Sequence, residues 1–149
     1  MSSLLPTFNT GAEVGFGATI ASLAAFVLIK DWVMGLAPGN PLVSVSVAVN
    51  ILAGITGSAA GGLGITLESL GAEYMQMALD AGINPEFLHR VAAMSSGGLD
   101  TLPHNGAIIT LLTICGLTHK ESYADIAMVS LVFPVLTTII TVATLSFIL

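Results

Sequence analysis

The sequence predicts an all-α integral membrane protein: transmembrane helices with one re-entrant helical hairpin and one broken transmembrane helix. Three observations predict it. The 149 residues are 54% hydrophobic and only 8% charged, whereas about a quarter of a soluble domain is charged. Apolar runs of helical length recur along the chain. Two of them are interrupted by small, glycine-rich stretches, Thr56-Gly57-Ser58-Ala59-Ala60-Gly61-Gly62 and Gly97-Gly98-Leu99-Asp100-Thr101-Leu102-Pro103-His104-Asn105-Gly106. In lipid, a broken helix leaves backbone groups that only protein or a cavity can satisfy, so such breaks line binding sites.

Composition also excludes function classes. Three Lys and Arg against nine Asp and Glu give a net charge of −6. No basic cluster exists to meet phosphates, so nucleic acid is not a partner. Sixteen glycines suit close helix packing in lipid. Cys115 is the single cysteine, so no intrachain disulfide forms. Met1 to Thr10 carries no basic residue and no apolar core and is not a secretory signal. Membrane targeting then rests on the internal apolar segments.

The chain reads as one membrane domain, residues 1–149. Pro6 and Asn9-Thr10-Gly11 disfavour a continuous helix in the lead-in. Residues 12–36 are long enough to span, and Trp32 suits an interface. Residues 37–41 (APGNP) form a turn. Residues 42–79 are predicted as a re-entrant hairpin with its tip at 56–62. The first arm is short for a span, and Glu68 and Glu73 in the second would be costly against lipid. Two ordinary short spans are the alternative. Asn84-Pro85-Glu86 has the pattern of a helix start. Residues 87–117 make one crossing broken at 98–106, where Pro103 removes a backbone donor and glycines weaken both sides. Residues 118–125 connect to a final helix, 126–149, without a charged side chain, in which Pro134 introduces a kink.

The two breaks would bring helix ends together. Helix N-termini carry partial positive charge and suit a small anion such as a carboxylate. Thr56, Ser58, Thr101 and Asn105, with Gly57 and Gly106 beside them, supply neutral hydroxyl, amide and backbone groups for substrate binding. Asp100 and His104 are candidate proton carriers, and Glu68 is a third. Against this, Asp100 reads equally as a cap and His104 as a structural group. Gly57 and Gly61 also have the spacing of a helix-packing motif. His89, His104 and His119 lie in separate segments without metal-ligand spacing, so neither a metal nor a cofactor is expected. Ser95, Ser96, Asp100 and His104 lack a nucleophile-elbow pattern, and the chain is not read as an enzyme. His89-Arg90 and His119-Lys120 read as interfacial anchors.

Several stretches together resemble the GntP-type (gluconate) permeases, carriers of the ion-transporter superfamily. They are Glu13-Val14-Gly15-Phe16-Gly17, Gly57 to Ile65, His89-Arg90-Val91, Leu99 to Gly106 and Cys115 to Glu121. The resemblance covers nearly the whole chain, as the C-terminal portion of such a permease. It implies a symporter in the bacterial inner membrane, multi-pass, moving a small organic acid such as gluconate or a hydroxybutyrate-type hydroxy acid. It implies proton coupling, with sodium as the alternative ion. It places the substrate where 56–61 and 100–106 meet, and implies inverted repeats, of which this chain carries one repeat's share. The expected partners are therefore the organic-acid anion, the lipid bilayer, and a missing N-terminal half or a second chain, a homo-oligomer being one form. The alternative is a non-transporting membrane assembly or structural remnant that packs through small residues.

Overall fold

In the computed structural model, all regular structure among the described residues is helical. Residues 3–37 and 39–149 are described, without the side chains of residues 9, 10, 13, 14 and 17. The turn residue Pro38 and part of the Glu13–Gly17 stretch therefore lie outside the described residues.

Helix α1 spans Leu4–Ser22 and α2 spans Ala24–Leu36. The expected lead-in is thus helical, because Pro6 lies in the first turn, where its missing donor costs nothing. The expected single helix over 12–36 is divided at Leu23, whose backbone is extended. Ser22 Oγ donates to the Thr19 carbonyl at 2.7 Å, and the Leu23 N–H turns to Ile20 O instead. A hydroxyl competing for the helix's own acceptors accounts for the break. Lys30 on α2 pairs with Glu73 at 2.9 Å.

Helix α3, Pro41–Thr56, is the axis of the molecule. Asn40 caps it by accepting from the Leu42 and Val43 N–H groups, and Pro41 fits the first helical position. Leu42, Val45, Ala48, Val49, Leu52 and Ala53 are all buried. Gly57 ends α3 in the left-handed region, φ 64°. Ser58 then starts α4, Ala59–Asp80, by accepting from the Gly61 N–H. The tip is therefore two residues, 57–58, narrower than the 56–62 expected. Ala59 and Ala60 are good helix formers, and Gly61 and Gly62 remain helical because Gly62 lies against α3. A Cβ on Gly62 would stand 2.2 Å from Ala53 N and 2.3 Å from its Cα.

Asn84 caps α5, Pro85–Ser95. Val91 and Ala92 of α5 join Val45, Val49, Leu70 and Tyr74 in the main core. A 3-10 turn, Leu99–Thr101, follows, and α6 begins at Gly106 and ends at Cys115. Thr118 and Glu121 bond reciprocally at the start of α7, His119–Ala127. A π turn, Met128–Val132, leads into α8, Phe133–Ile148. Pro134 cannot donate to Ser130 O four residues back, which explains the irregular winding.

Residues His119–Ile148 form one unit of 30 residues, long and apolar enough to cross a membrane. Helices α3 and α6 are apolar but shorter, 16 and 10 residues, or about 24 and 15 Å. Many large apolar side chains point outward, among them Leu28, Ile114, Val129, Phe133 and Ile140.

Candidate functional site

Helix α3 and the α5–break–α6 segment run side by side and are joined by four polar contacts in the same order along both. Ser95 Oγ donates to Ser46 Oγ at 2.9 Å. The Leu99 N–H reaches Asn50 Oδ1 at 3.4 Å. His104 Nε2 donates to Gly54 O at 2.9 Å, and Asn105 Nδ2 donates to Gly57 O at 2.9 Å. Positions 46, 50 and 54 recur at helical spacing on one face of α3, and Gly57 lies just past its end. The tip and the break are thereby brought together at the top of this ladder.

Close approach requires glycine on both sides. A Cβ on Gly57 would meet His104 Cδ2 at 2.8 Å, in a backbone conformation that side chains already disfavour. A Cβ on Gly98 would meet Asn50 Oδ1 at 2.6 Å and Val135 Cγ2 at 2.9 Å.

Asn105 is the keystone of the break. It is buried, its Nδ2 also donates to Asp100 O at 3.0 Å, and its Oδ1 caps α6 by accepting from Ile108 N. All three of these contacts are inside the protein. Asn105→Ala is expected to cost about 2–4 kcal/mol, a lost cap plus carbonyls left unsatisfied. Unfolding in mixed detergent micelles, compared with wild type, measures it.

The backbone around Asp100 is held from several directions. The preceding Leu99 N–H goes to Asn50, and its carbonyl accepts from Asn105. The following Thr101 donates its hydroxyl to Gly98 O and to Ser130 O, each at 3.1 Å. Ser130 O is the carbonyl from which Pro134 withholds a partner. Tyr123 Oη donates to Thr101 O at 3.0 Å. Asp100 is only 8% exposed, yet its Oδ1 is buried with no hydrogen-bond partner. A backbone held this firmly around an unsatisfied carboxyl oxygen is unusual, since burying a polar atom without a partner is costly.

The remaining candidates are distributed as follows. The Thr56 hydroxyl is buried and donates back within the tip, nearest to Leu52 O at 2.8 Å. Ser58 Oγ accepts the capping bond from Gly61 N and is half-buried. Gly106 is buried at the start of α6. Glu68 is exposed on α4, ten residues beyond Ser58, which is about 15 Å along the helix. It borders a separate recess of about 250 Å³ with Ala18, Ala21, Gly61 and Gly64. The structure thus brings together Thr56, Gly57, Ser58, Asp100, Thr101, His104, Asn105 and Gly106, and leaves Glu68 apart.

Some participants are not singled out by the sequence. His119, expected as an interfacial anchor, donates from Nε2 to Pro103 O at 2.9 Å within the break. Asn50, Ser46 and Ser95 form the ladder. Their signal is the run of polar or small residues at 46, 50 and 54, four apart in an apolar helix.

Chemically, the site combines the N-termini of α4 and α6, which carry partial positive charge, with one buried carboxyl group. Among the described residues no cluster of His, Cys, Asp and Glu is suited to hold a metal ion.

Over 130 residues the chain is 49% identical to the uncharacterized transporter YxjC of Bacillus subtilis strain 168. The match covers 87% of this chain and 27% of that protein. The chain therefore spans about a quarter of the length of the curated relative it matches. No family model matches the chain. No solved structure matches it either.

Proposed function

We propose that this chain is the site-bearing portion of a secondary active transporter that moves a small organic acid, of the gluconate or hydroxybutyrate type, with a proton. The observation that carries the reading is the buried, unpartnered Asp100 Oδ1 in a break that is bonded to the tip of a helical hairpin. The similarity to a protein named as a transporter supports transport. The resemblance to the GntP-type permeases supports an organic acid, a proton and a bacterial inner membrane. In this reading α3 and α4 form a re-entrant hairpin and α5–break–α6 a broken crossing, each half too short to span alone.

Physical linkage explains how such a site couples two species. An anion attracted to the α4 and α6 N-termini would lie near Asp100. Two negative charges 6–8 Å apart at an effective dielectric of about 20 repel by about 2–3 kcal/mol. A bound carboxylate therefore favours a neutral Asp100, and a neutral Asp100 favours the carboxylate. When the anion leaves, that repulsion is gone and Asp100 gives up its proton more readily than with the anion bound. His104, whose Nε2 hydrogen is committed to Gly54 O, retains Nδ1 as the nitrogen able to exchange a proton.

Uptake of labelled gluconate and 3-hydroxybutyrate into proteoliposomes tests the reading, with an inward proton gradient imposed. Ser58→Ala is expected to raise the half-saturating concentration about tenfold, about 1.4 kcal/mol, because Ser58 orders the first turn of α4. Transport unchanged in Ser58→Ala would move the substrate away from the tip. The commitment of both ends of the Asn105 amide to protein groups gives the packing alternative its one specific support. Absence of a thermal shift with any organic acid would favour that alternative.

A further inference from the structure

We propose that Asn50 is a positioning residue for Asp100, holding the carboxyl group in its buried setting through the Leu99–Thr101 turn. The inference rests on the reading of Asp100 as the coupling group and extends it to a residue on another helix.

Asn50 is the amide of α3, set within an apolar run. Its Nδ2 donates to Ser46 O at 3.1 Å, one turn back on its own helix. This fixes the amide plane and directs Oδ1 outward from α3. Oδ1 receives the Leu99 N–H, the first backbone donor of the turn that carries Asp100. Gly98 makes the approach possible, because any side chain there would overlap Asn50 Oδ1. A helical turn orphans its first N–H groups, and Leu99 opens the Leu99–Thr101 turn. Without Asn50, the Leu99 N–H would lose this part-buried partner, and the start of the turn that carries Asp100 would loosen.

The other restraints do not substitute for it. Asn105 and Thr101 act on the carbonyl of Asp100 and on the residue after it. On the N-terminal side, Thr101 reaches Gly98 O from within the turn itself, whereas Asn50 ties Leu99 to another helix. Beside it lies a recess of about 260 Å³ lined by Ser46, Asn50, Leu99, Val135 and Thr138.

The test uses the full chain in lipid nanodiscs, comparing Asn50→Ala with Ser95→Ala. Both remove one rung of the ladder, but Ser95 does not touch the turn. Two quantities are read: amide hydrogen exchange at Leu99, and the pH midpoint of the Asp100 carboxyl infrared band, with Asp100→Asn as the blank. In Asn50→Ala, exchange at Leu99 is expected to accelerate at least about tenfold, and the Asp100 midpoint to move by about one pH unit or more. Ser95→Ala is expected to move neither. A midpoint that stays within about 0.3 unit in Asn50→Ala, or that moves as far in Ser95→Ala, overturns the proposal. If Asn50→Ala does not fold, Asn50→Ser, too short to reach the Leu99 N–H, is judged by the same criteria. Both readouts are independent of uptake. Failure of transport in the wild-type chain would sink the transport reading while these measurements still decide the role of Asn50.

Discussion

Gly62→Ala is expected to destabilise the protein by about 3 kcal/mol or more, the largest effect of any single methyl group added here. The added carbon would fall 2.2 Å from Ala53 N. The obstacle is backbone, which has no rotamer by which to withdraw, so α3 and α4 must separate. Overpacking ordinarily costs about 1–3 kcal/mol, and a backbone obstacle belongs at or beyond the upper end. Gly64→Ala is the matched control. It lies on the same helix with nothing within 4 Å of the added carbon, and alanine favours helix over glycine by about 1 kcal/mol. Denaturant titration in mixed micelles should therefore separate the two variants in opposite directions. Equal stability would mean that the hairpin arms do not meet at Gly62.

Asp100→Asn is expected to abolish coupling while sparing binding. The amide is nearly isosteric with the carboxyl group and keeps one oxygen as an acceptor, so the fold should be retained. What it removes is the proton. Gradient-driven accumulation should fall at least about tenfold, since the driving force no longer reaches the substrate. Exchange of labelled for unlabelled organic acid across the same vesicles, which needs no net proton movement, should persist. The residual flux should also lose its dependence on pH. Accumulation at wild-type levels in Asp100→Asn would move the coupling site elsewhere, His104 being next because it lies in the same break.

The helical class was legible in the sequence because composition dictates it. So few charged residues cannot cover a water-facing surface, and the glycine-rich stretches stand out against apolar runs. The finer boundaries were not legible. Ala59 to Gly62 has the composition of a loop, yet it is helical, because Gly62 buys contact with Ala53 that no other residue allows. The division at Leu23 depends on which carbonyl the Ser22 hydroxyl takes, a choice invisible in residue type. Asp100, Asn105 and the tip residues stand out in the sequence because polar groups between the apolar runs are few. Their roles do not. Asn105 reads as a ligand donor from its chemistry, while its position commits both ends of its amide to the protein. Asn50 reads as a lone polar residue until Leu99 is placed beside it, and that contact joins positions 49 residues apart. Pairings at that distance arise from how α3, α4 and α5 pack, which local pattern does not encode.

The most direct test of the central claim is proton binding measured together with anion binding. The purified chain in lightly buffered micelles is titrated with 3-hydroxybutyrate or gluconate while a pH indicator follows the medium. Each anion bound is expected to take up about one proton near neutral pH, and Asp100→Asn to bind the anion with no proton uptake. Anion binding without proton uptake in the wild-type chain, or equal uptake in Asp100→Asn, would contradict the claim.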